Sequence, residues 1–168
     1  CRNETGRLLA TLAATRDGTM AEFGTGCGVG TAWLRSGVRG EKARIVTAEL
    51  DPKLARAAAE IFEDDPLVEV VAASWSTLLD RGPYSLLFLD AGQSDSRLAT
   101  EVGVDAVADL VEDGGIVVLD DFTPCESWPP IAYGRVDVLR EQWLTDERFT
   151  TVEVMVASDA ATLIATKR

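Results

Sequence analysis

Met20-Ala21-Glu22-Phe23-Gly24-Thr25-Gly26-Cys27-Gly28-Val29-Gly30-Thr31 decides how the chain is read. A short apolar run ends at Phe23, glycines recur at every second position from 24 to 30, and Thr31-Ala32-Trp33-Leu34-Arg35 begins a helix-like stretch. That is a strand, a glycine turn and a helix start. Glycines are needed where the backbone takes positive φ or lets a ligand lie against it, and the following helix aims unsatisfied N–H groups back at the turn. A dinucleotide fingerprint, G-x-G-x-x-G, would need glycine at 29 or 31, where Val29 and Thr31 stand, so the register excludes it. A small ligand of another class is expected on this turn.

The 168 residues fit one domain, residues 1–168, with enough chain for a substantial core, and no run approaches membrane-spanning length. The formal net charge of -12 argues against nucleic acid or an anionic membrane surface as partner, because phosphate binding relies on clustered Lys and Arg. Cys1, Cys27 and Cys125 are too few and too scattered for a disulfide framework or a thiolate metal site, so a reducing cytoplasm is expected. There is no histidine, which excludes a Ser-His-Asp triad, a Cys-His pair and the usual zinc hydrolase ligands. The sequence starts at Cys1 without a methionine or a signal segment, and an upstream piece is expected to be missing.

Helical spacing of apolar residues from Gly6 to Ala14 stops at Asp17-Gly18, and Thr19 to Phe23 is the first strand. A helix from about Gly30 to Ser36 precedes a second strand, Ala43 to Ala48. Asp51 is a natural N-cap with Pro52 at the first helical position of Lys53 to Phe62. Leu67 to Val71 is the third strand, Ser74 to Leu79 a short helix, and Tyr84 to Leu89 an unbroken apolar run, as a strand buried on both faces should be. After the loop Ala91 to Ser96, Leu98, Val102, Ala106, Val107, Leu110 and Val111 predict a helix ending before Gly114-Gly115. Ile116 to Leu119 is the fifth strand, and a proline-containing loop runs from Thr123 to about Tyr133. A helix near Val136 to Leu144 then leads to two strands, Thr150 to Val156 and Ala161 to Thr166, joined by Ser158-Asp159. The pattern predicts an α/β, Rossmann-like, doubly wound sheet of seven strands, mostly parallel, with an antiparallel last strand.

Ligands of such sheets bind beyond the carboxyl ends of the strands, which lists the glycine turn, Glu49, Ser74, Asp90, Asp120 and Asp121. An acid at the end of the second strand, about twenty residues after a glycine turn, can accept both hydrogen bonds of a ribose, a role that Glu49 fits. Trp75 follows a strand end and either stacks on an adenine or joins the core. Asp90, Asp120 and Asp121 end neighbouring strands. Three converging carboxylates without a Lys or Arg partner repel one another unless a cation joins them, and oxygen ligands favour Mg²⁺, Mn²⁺ or Ca²⁺. The alternative is that two of them are loop acids facing water.

Glu22 followed by Gly24, Gly26 and Gly28 resembles the first motif of class I S-adenosylmethionine-dependent methyltransferases. The likeness extends over nearly the whole chain to the catechol and caffeoyl-CoA O-methyltransferase branch. It is carried by Glu22 to Gly30, Thr47 to Asp51, Ala72-Ala73-Ser74-Trp75, Phe88-Leu89-Asp90-Ala91, Gly114 to Asp121 and Asp146 to Phe149. The resemblance implies that Glu22, Gly24, Thr25, Gly26, Gly28 and Gly30 hold the methionine part of S-adenosylmethionine. It gives the ribose to Glu49 with Leu50, the adenine to Ser74 with Trp75, and places Asp90 beside the cofactor. It also implies a divalent metal site, Mg²⁺ foremost with Mn²⁺ or Ca²⁺ as substitutes, at Asp90, Asp120 and Asp121, which are then the catalytic residues. The acceptor expected is a small-molecule hydroxyl, walled by Thr123, Trp128, Pro129, Pro130 and Tyr133, with a place in the core as the alternative for Trp128. A homodimer is compatible with the likeness, whose dimer contacts often use helices ahead of Gly6 that are absent or much shortened here.

Two departures bear on mechanism. The third metal ligand of that branch is usually Asn, here Asp121, and the lysine base often found three residues after the first metal aspartate is here Gln93. Glutamine cannot take a proton, so the metal must lower the hydroxyl pKa or a nearby carboxylate must serve as base. A metal-independent methyltransferase and a cofactor-binding module without turnover are the alternative readings.

Overall fold

Tyr84–Leu89 (β4) is buried along its whole length, and the sheet extends to both sides of it. The computed structural model describes residues 1–90 and 103–168. The elements before β4 are α1 (Asn3–Ala13), β1 (Thr19–Phe23), α2 (Val29–Gly37), β2 (Arg44–Ala48), α3 (Pro52–Ile61), β3 (Val68–Val71) and a 3₁₀ segment, Trp75–Arg81. After it come a helical turn at Val104–Val107, β5 (Val111–Phe122), a small hairpin of β6 (Ile131–Ala132) and β7 (Arg135–Val136), α4 (Val138–Thr145), β8 (Phe149–Ala157) and β9 (Ala160–Lys167). The seven-stranded sheet has the order β3-β2-β1-β4-β5-β9-β8. β1 to β5 pair in parallel, β9 runs antiparallel to β5, and β8 antiparallel to β9. The expected architecture is therefore the one that forms.

Alternation along the strands splits the core in two. Ala21, Phe23, Leu87, Leu89, Val117 and Leu119 face one side, where Leu78 of the 3₁₀ segment and Leu139 and Trp143 of α4 cover them. Met20, Leu86, Phe88, Ile116 and Val118 face the other, under Leu9 and Ala13 of α1 and Leu34 of α2. The α1–α2 approach is close: a Cβ on Gly6 would stand 2.2 Å from the Trp33 indole nitrogen, and one on Gly37 would stand 2.1 Å from the Ala10 carbonyl oxygen. Asp51 caps α3 as its sequence indicates, with its Oδ1 accepting from the Lys53 N–H at 2.7 Å.

Two boundaries differ from expectation. Gly114-Gly115 does not follow a helix end but sits inside β5, which already begins at Val111. Gly114 has φ 76°, a Cβ on Gly115 would crowd the Glu112 and Tyr84 carbonyl oxygens, and the β4–β5 register shifts between Tyr84 and Leu86. The pair thus makes a bulge, where glycine is favoured for the same reason as at a helix stop. The proline-rich loop contains the β6–β7 hairpin, turning through Tyr133 and Gly134 at positive φ. The first part of the expected helix, Leu98 and Val102, lies outside the described residues, as does the loop Ala91 to Ser96.

Candidate active site

The glycine turn joins the carboxyl end of β1 to α2, and Gly24, Gly26 and Gly28 take φ of 100°, 52° and 86°, a region open to glycine at little cost. Its backbone is fastened to β2: the N–H groups of Gly24 and Thr25 donate to the Ala48 carbonyl at 3.1 and 3.2 Å, and the Gly26 N–H donates to Glu49 Oε2 at 2.8 Å. Glu49 Oε1 accepts the Asp51 N–H at 2.9 Å, so this carboxylate spans the turn and the end of β2. Leu50, beside it, is exposed.

Glu22 lies beneath the turn with no exposed surface. Its Oε2 accepts hydrogen bonds from the hydroxyls of Thr31 and, at 2.8 Å, Thr47; Thr47 in turn receives one from Thr25 at 2.5 Å. Among the described residues Oε1 has no hydrogen-bond partner, and burial pushes the carboxyl up to about 8. Gly30 has its own reason to be glycine, because a Cβ there would lie 2.0 Å from Glu22 Oε1. It serves the acid under the turn; it does not shape the turn itself.

At the end of β3, Ser74 caps the 3₁₀ segment, its Oγ accepting from Ser76. Trp75 is half-buried and stacks on Phe23 with ring centres 5.0 Å apart and planes 16° from parallel. One indole face therefore belongs to the core.

Asp90 ends β4, and Asp120 and Asp121 lie near the end of β5; carboxylate oxygens of the three lie within 4.8 Å of one another. The donor set is oxygen only. Asp121 has φ 68°, unusual for a residue with a Cβ, and its side chain is exposed. Asp120 is buried and accepts a hydrogen bond from the Thr5 hydroxyl at 3.2 Å. Burial raises the pKa of Asp120, and burial first, then the charges of Asp120 and Asp121, pushes Asp90 up to about 6. The fold thus gathers three acids from two strands and partly desolvates two of them.

The sequence profile of a family described as methyltransferase domain matches residues 21–122, more than half of the chain and the part that carries the turn and all three acids. The chain belongs to this family. Proteins of Mycobacterium tuberculosis and Mycolicibacterium vanbaalenii that carry an O-methyltransferase name are 32% identical to it over 122 residues. That match takes in 68% of the chain and 52% of each relative, so the chain spans about half the length of the curated relatives it matches. Among solved structures, an O-methyltransferase from Bacillus cereus in complex with S-adenosylhomocysteine superimposes with a TM-score of 0.76 at 22% identity, over 99% of this chain and 82% of that one. TomG of Streptomyces achromogenes, an O-methyltransferase involved in tomaymycin synthesis and solved with S-adenosylmethionine, gives 0.76 at 22% identity, over 100% and 82%. At that identity the likeness is one of fold.

The far side of the methyltransferase domain's site holds a feature the sequence reading missed. Arg140 of α4 is buried, and its guanidinium donates to Asp137 and Glu153, both at 3.1 Å, with its carbon 4.9 Å from the centre of the Phe122 ring. The other Glu153 oxygen accepts the Cys125 N–H at 3.1 Å, so this cation ties the loop after Asp121 to α4 and β8. The signal available was an arginine on the inward stripe with Leu139 and Trp143, three residues after an acid. Of the expected acceptor wall, Trp128 and Tyr133 stand out into solvent, which removes the core alternative for Trp128. Gln93 lies outside the described residues. Lys167 bonds the carbonyls of Ala108 and Val111.

Proposed function

We propose that the chain transfers a methyl group from S-adenosylmethionine to a hydroxyl of a small molecule with the help of a divalent cation. The observation that carries this reading is the meeting of Asp90, Asp120 and Asp121 within 4.8 Å at strand ends beside a glycine turn that Glu22 and Glu49 brace from below. The oxygen-only donor set fits Mg²⁺, Mn²⁺ or Ca²⁺. When bound, such an ion would hold acceptor oxygens and lower the pKa of the hydroxyl.

The remaining work falls to the chain's own residues. The turn, with Gly24, Thr25, Gly26 and Gly28, and the carboxylate of Glu49 would hold the amino-acid and ribose parts of the cofactor, Glu22 supporting the turn from beneath, and Ser74 with the open face of Trp75 would hold the adenine. The transfer is an in-line displacement at a sulfonium carbon: the acceptor oxygen bonds to the methyl as the carbon–sulfur bond breaks and S-adenosylhomocysteine leaves. Positioning alone supplies roughly 7 to 11 kcal/mol for such a step. With no histidine in the chain, acceptance of the hydroxyl proton is assigned to a carboxylate of the cluster.

Calorimetric titration with S-adenosylhomocysteine, with and without Mg²⁺ and a catechol-type acceptor, tests the assignment. The expected result is saturable binding of the product in both conditions and acceptor binding only with metal. Acceptor methylation that persists in a chelator would favour the metal-independent reading, and binding of neither ligand would overturn the proposal.

A further inference from the structure

Thr5 lies in the first turn of α1, is 1% exposed, and bonds through its hydroxyl to a carboxylate 115 residues away, Oδ1 of Asp120, itself 4% exposed. Thr5 belongs neither to the glycine turn nor to the three acids, and in the first turn of its helix it has no preceding helical turn to bond back to; its hydroxyl goes to Asp120 instead.

The helix that presents it meets the rest of the fold at several points. Arg2 donates two hydrogen bonds to Asp159 at 2.7 and 3.0 Å, Gly6 lies against the Trp33 indole, and Gly37 of α2 abuts the Ala10 carbonyl. Gly28 of the turn is the N-cap of α2. Thr5 is thus carried by a helix that packs against the one leaving the proposed cofactor site.

The last torsion of an aspartate is broad and two-fold, so the way the Asp120 carboxylate faces Asp90 and Asp121 depends on the donors that meet it, of which the Thr5 hydroxyl is one. Like charges nearby make that direction matter. A donor on one oxygen sets the plane of the group and the direction of its lone pairs, as outer partners do for ligating side chains in metal sites. We propose that Thr5 is a positioning residue that orients the Asp120 carboxylate for a divalent cation. This inference rests on the metal reading given under Proposed function.

The test is Mn²⁺ binding, read from the electron paramagnetic resonance signal of free Mn²⁺ in titrations of the protein saturated with S-adenosylhomocysteine. Thr5→Val keeps the shape and removes the donor, and its Mn²⁺ dissociation constant should rise about tenfold. Thr5→Ser keeps the donor and should remain within about twofold of the parent. The S-adenosylhomocysteine affinity of both should be unchanged, which separates positioning from general damage to the fold. Thr5→Ala carries the same expectation if Thr5→Val does not fold. Equal Mn²⁺ affinity in the parent and the Val or Ala variant would overturn the inference and leave the metal reading intact. If the parent shows no Mn²⁺ binding that Asp120→Ala removes, the metal reading fails and this inference with it.

Discussion

Glu22→Gln should change how stability depends on pH. Glu22 is wholly buried; the two threonine hydroxyls that its Oε2 accepts favour the ionised form, and burial, the larger effect, favours the protonated one. In the unfolded chain it ionises near 4.5, and in the fold burial raises it to about 8. Between these limits the native state binds more protons than the unfolded state, so stability must fall as pH rises, and it levels off only above about 8. At 1.36 kcal/mol per pH unit the full excursion is on the order of 5 kcal/mol, or a melting-temperature change of roughly 10 to 20 °C for a domain of this size. Glutamine mimics the neutral form and cannot titrate. Asp90, raised to about 6, acts in the same direction over a lower window but is present in both proteins and drops out of the difference. Urea unfolding of parent and variant at half-unit steps from pH 5 to 8.5, without cofactor, gives the required curves. The variant should gain steadily on the parent with rising pH. A stability difference flat to within about 0.5 kcal/mol across the range would show that Glu22 is ionised in the fold, and the proton assignment would be wrong.

Gly30→Ala places a Cβ against Glu22 Oε1 and Phe88, both fully buried, and should cost about 2 to 4 kcal/mol in thermal unfolding, most of it recovered in the double variant with Glu22→Ala. Strictly additive effects would show that the two sites do not meet. Glu49→Ala should weaken S-adenosylhomocysteine binding at least tenfold by calorimetry, while Asp120→Ala should leave it nearly intact and abolish any metal dependence of acceptor binding. Equal loss in both would refute that division of the site. Arg140→Met leaves the half-buried Asp137 and Glu153 without their cation and should destabilise by about 2 to 3 kcal/mol, measured by urea unfolding; a loss below about 1 kcal/mol would mean that this cluster is hydrated.

The elements that organise the site were legible because each leaves a local mark. Tyr84 to Leu89 reads as a doubly buried strand from composition, Thr19 to Phe23 is bounded by glycines, and Asp51-Pro52 announces a helix start. The acids at strand ends could be listed, since the topology alone brings the ends of β4 and β5 together. Gly114-Gly115 misled because a helix stop and a β-bulge draw on the same property of glycine, and only the partner strand tells them apart. The support around Glu22 was not legible. It depends on the parallel register that sets Glu22 opposite Thr47, and on Thr31 returning from α2, neither of which leaves a periodic trace. Thr5 and Asp120, and Arg140 and Glu153, are likewise pairs created by packing.

The internal hydrogen bonds of the turn also bear on which ligands it can take. The N–H groups of Gly24 and Thr25 are given to Ala48, that of Gly26 to Glu49, and that of Gly28 to the Thr25 carbonyl at 2.8 Å. A loop that cradles phosphate must keep such groups free, because an anion is held by donors. Here the protein consumes them, and what surrounds the turn is acceptor-rich, with the carboxylates of Glu49 and Asp90. Such a surface suits a cationic ligand, which a sulfonium with a free amino group is, and it disfavours a pyrophosphate. The glycines then act by shape, letting a ligand approach the main chain closely, and the bonds to β2 keep that shape in the absence of ligand. The expected outcome is that millimolar pyrophosphate and NAD leave S-adenosylhomocysteine binding unchanged in a competition titration, whereas S-adenosylmethionine displaces it. Displacement by pyrophosphate at comparable concentration would show that N–H groups of the turn are available to anions after all, and the acceptor-rich reading of the site would fall.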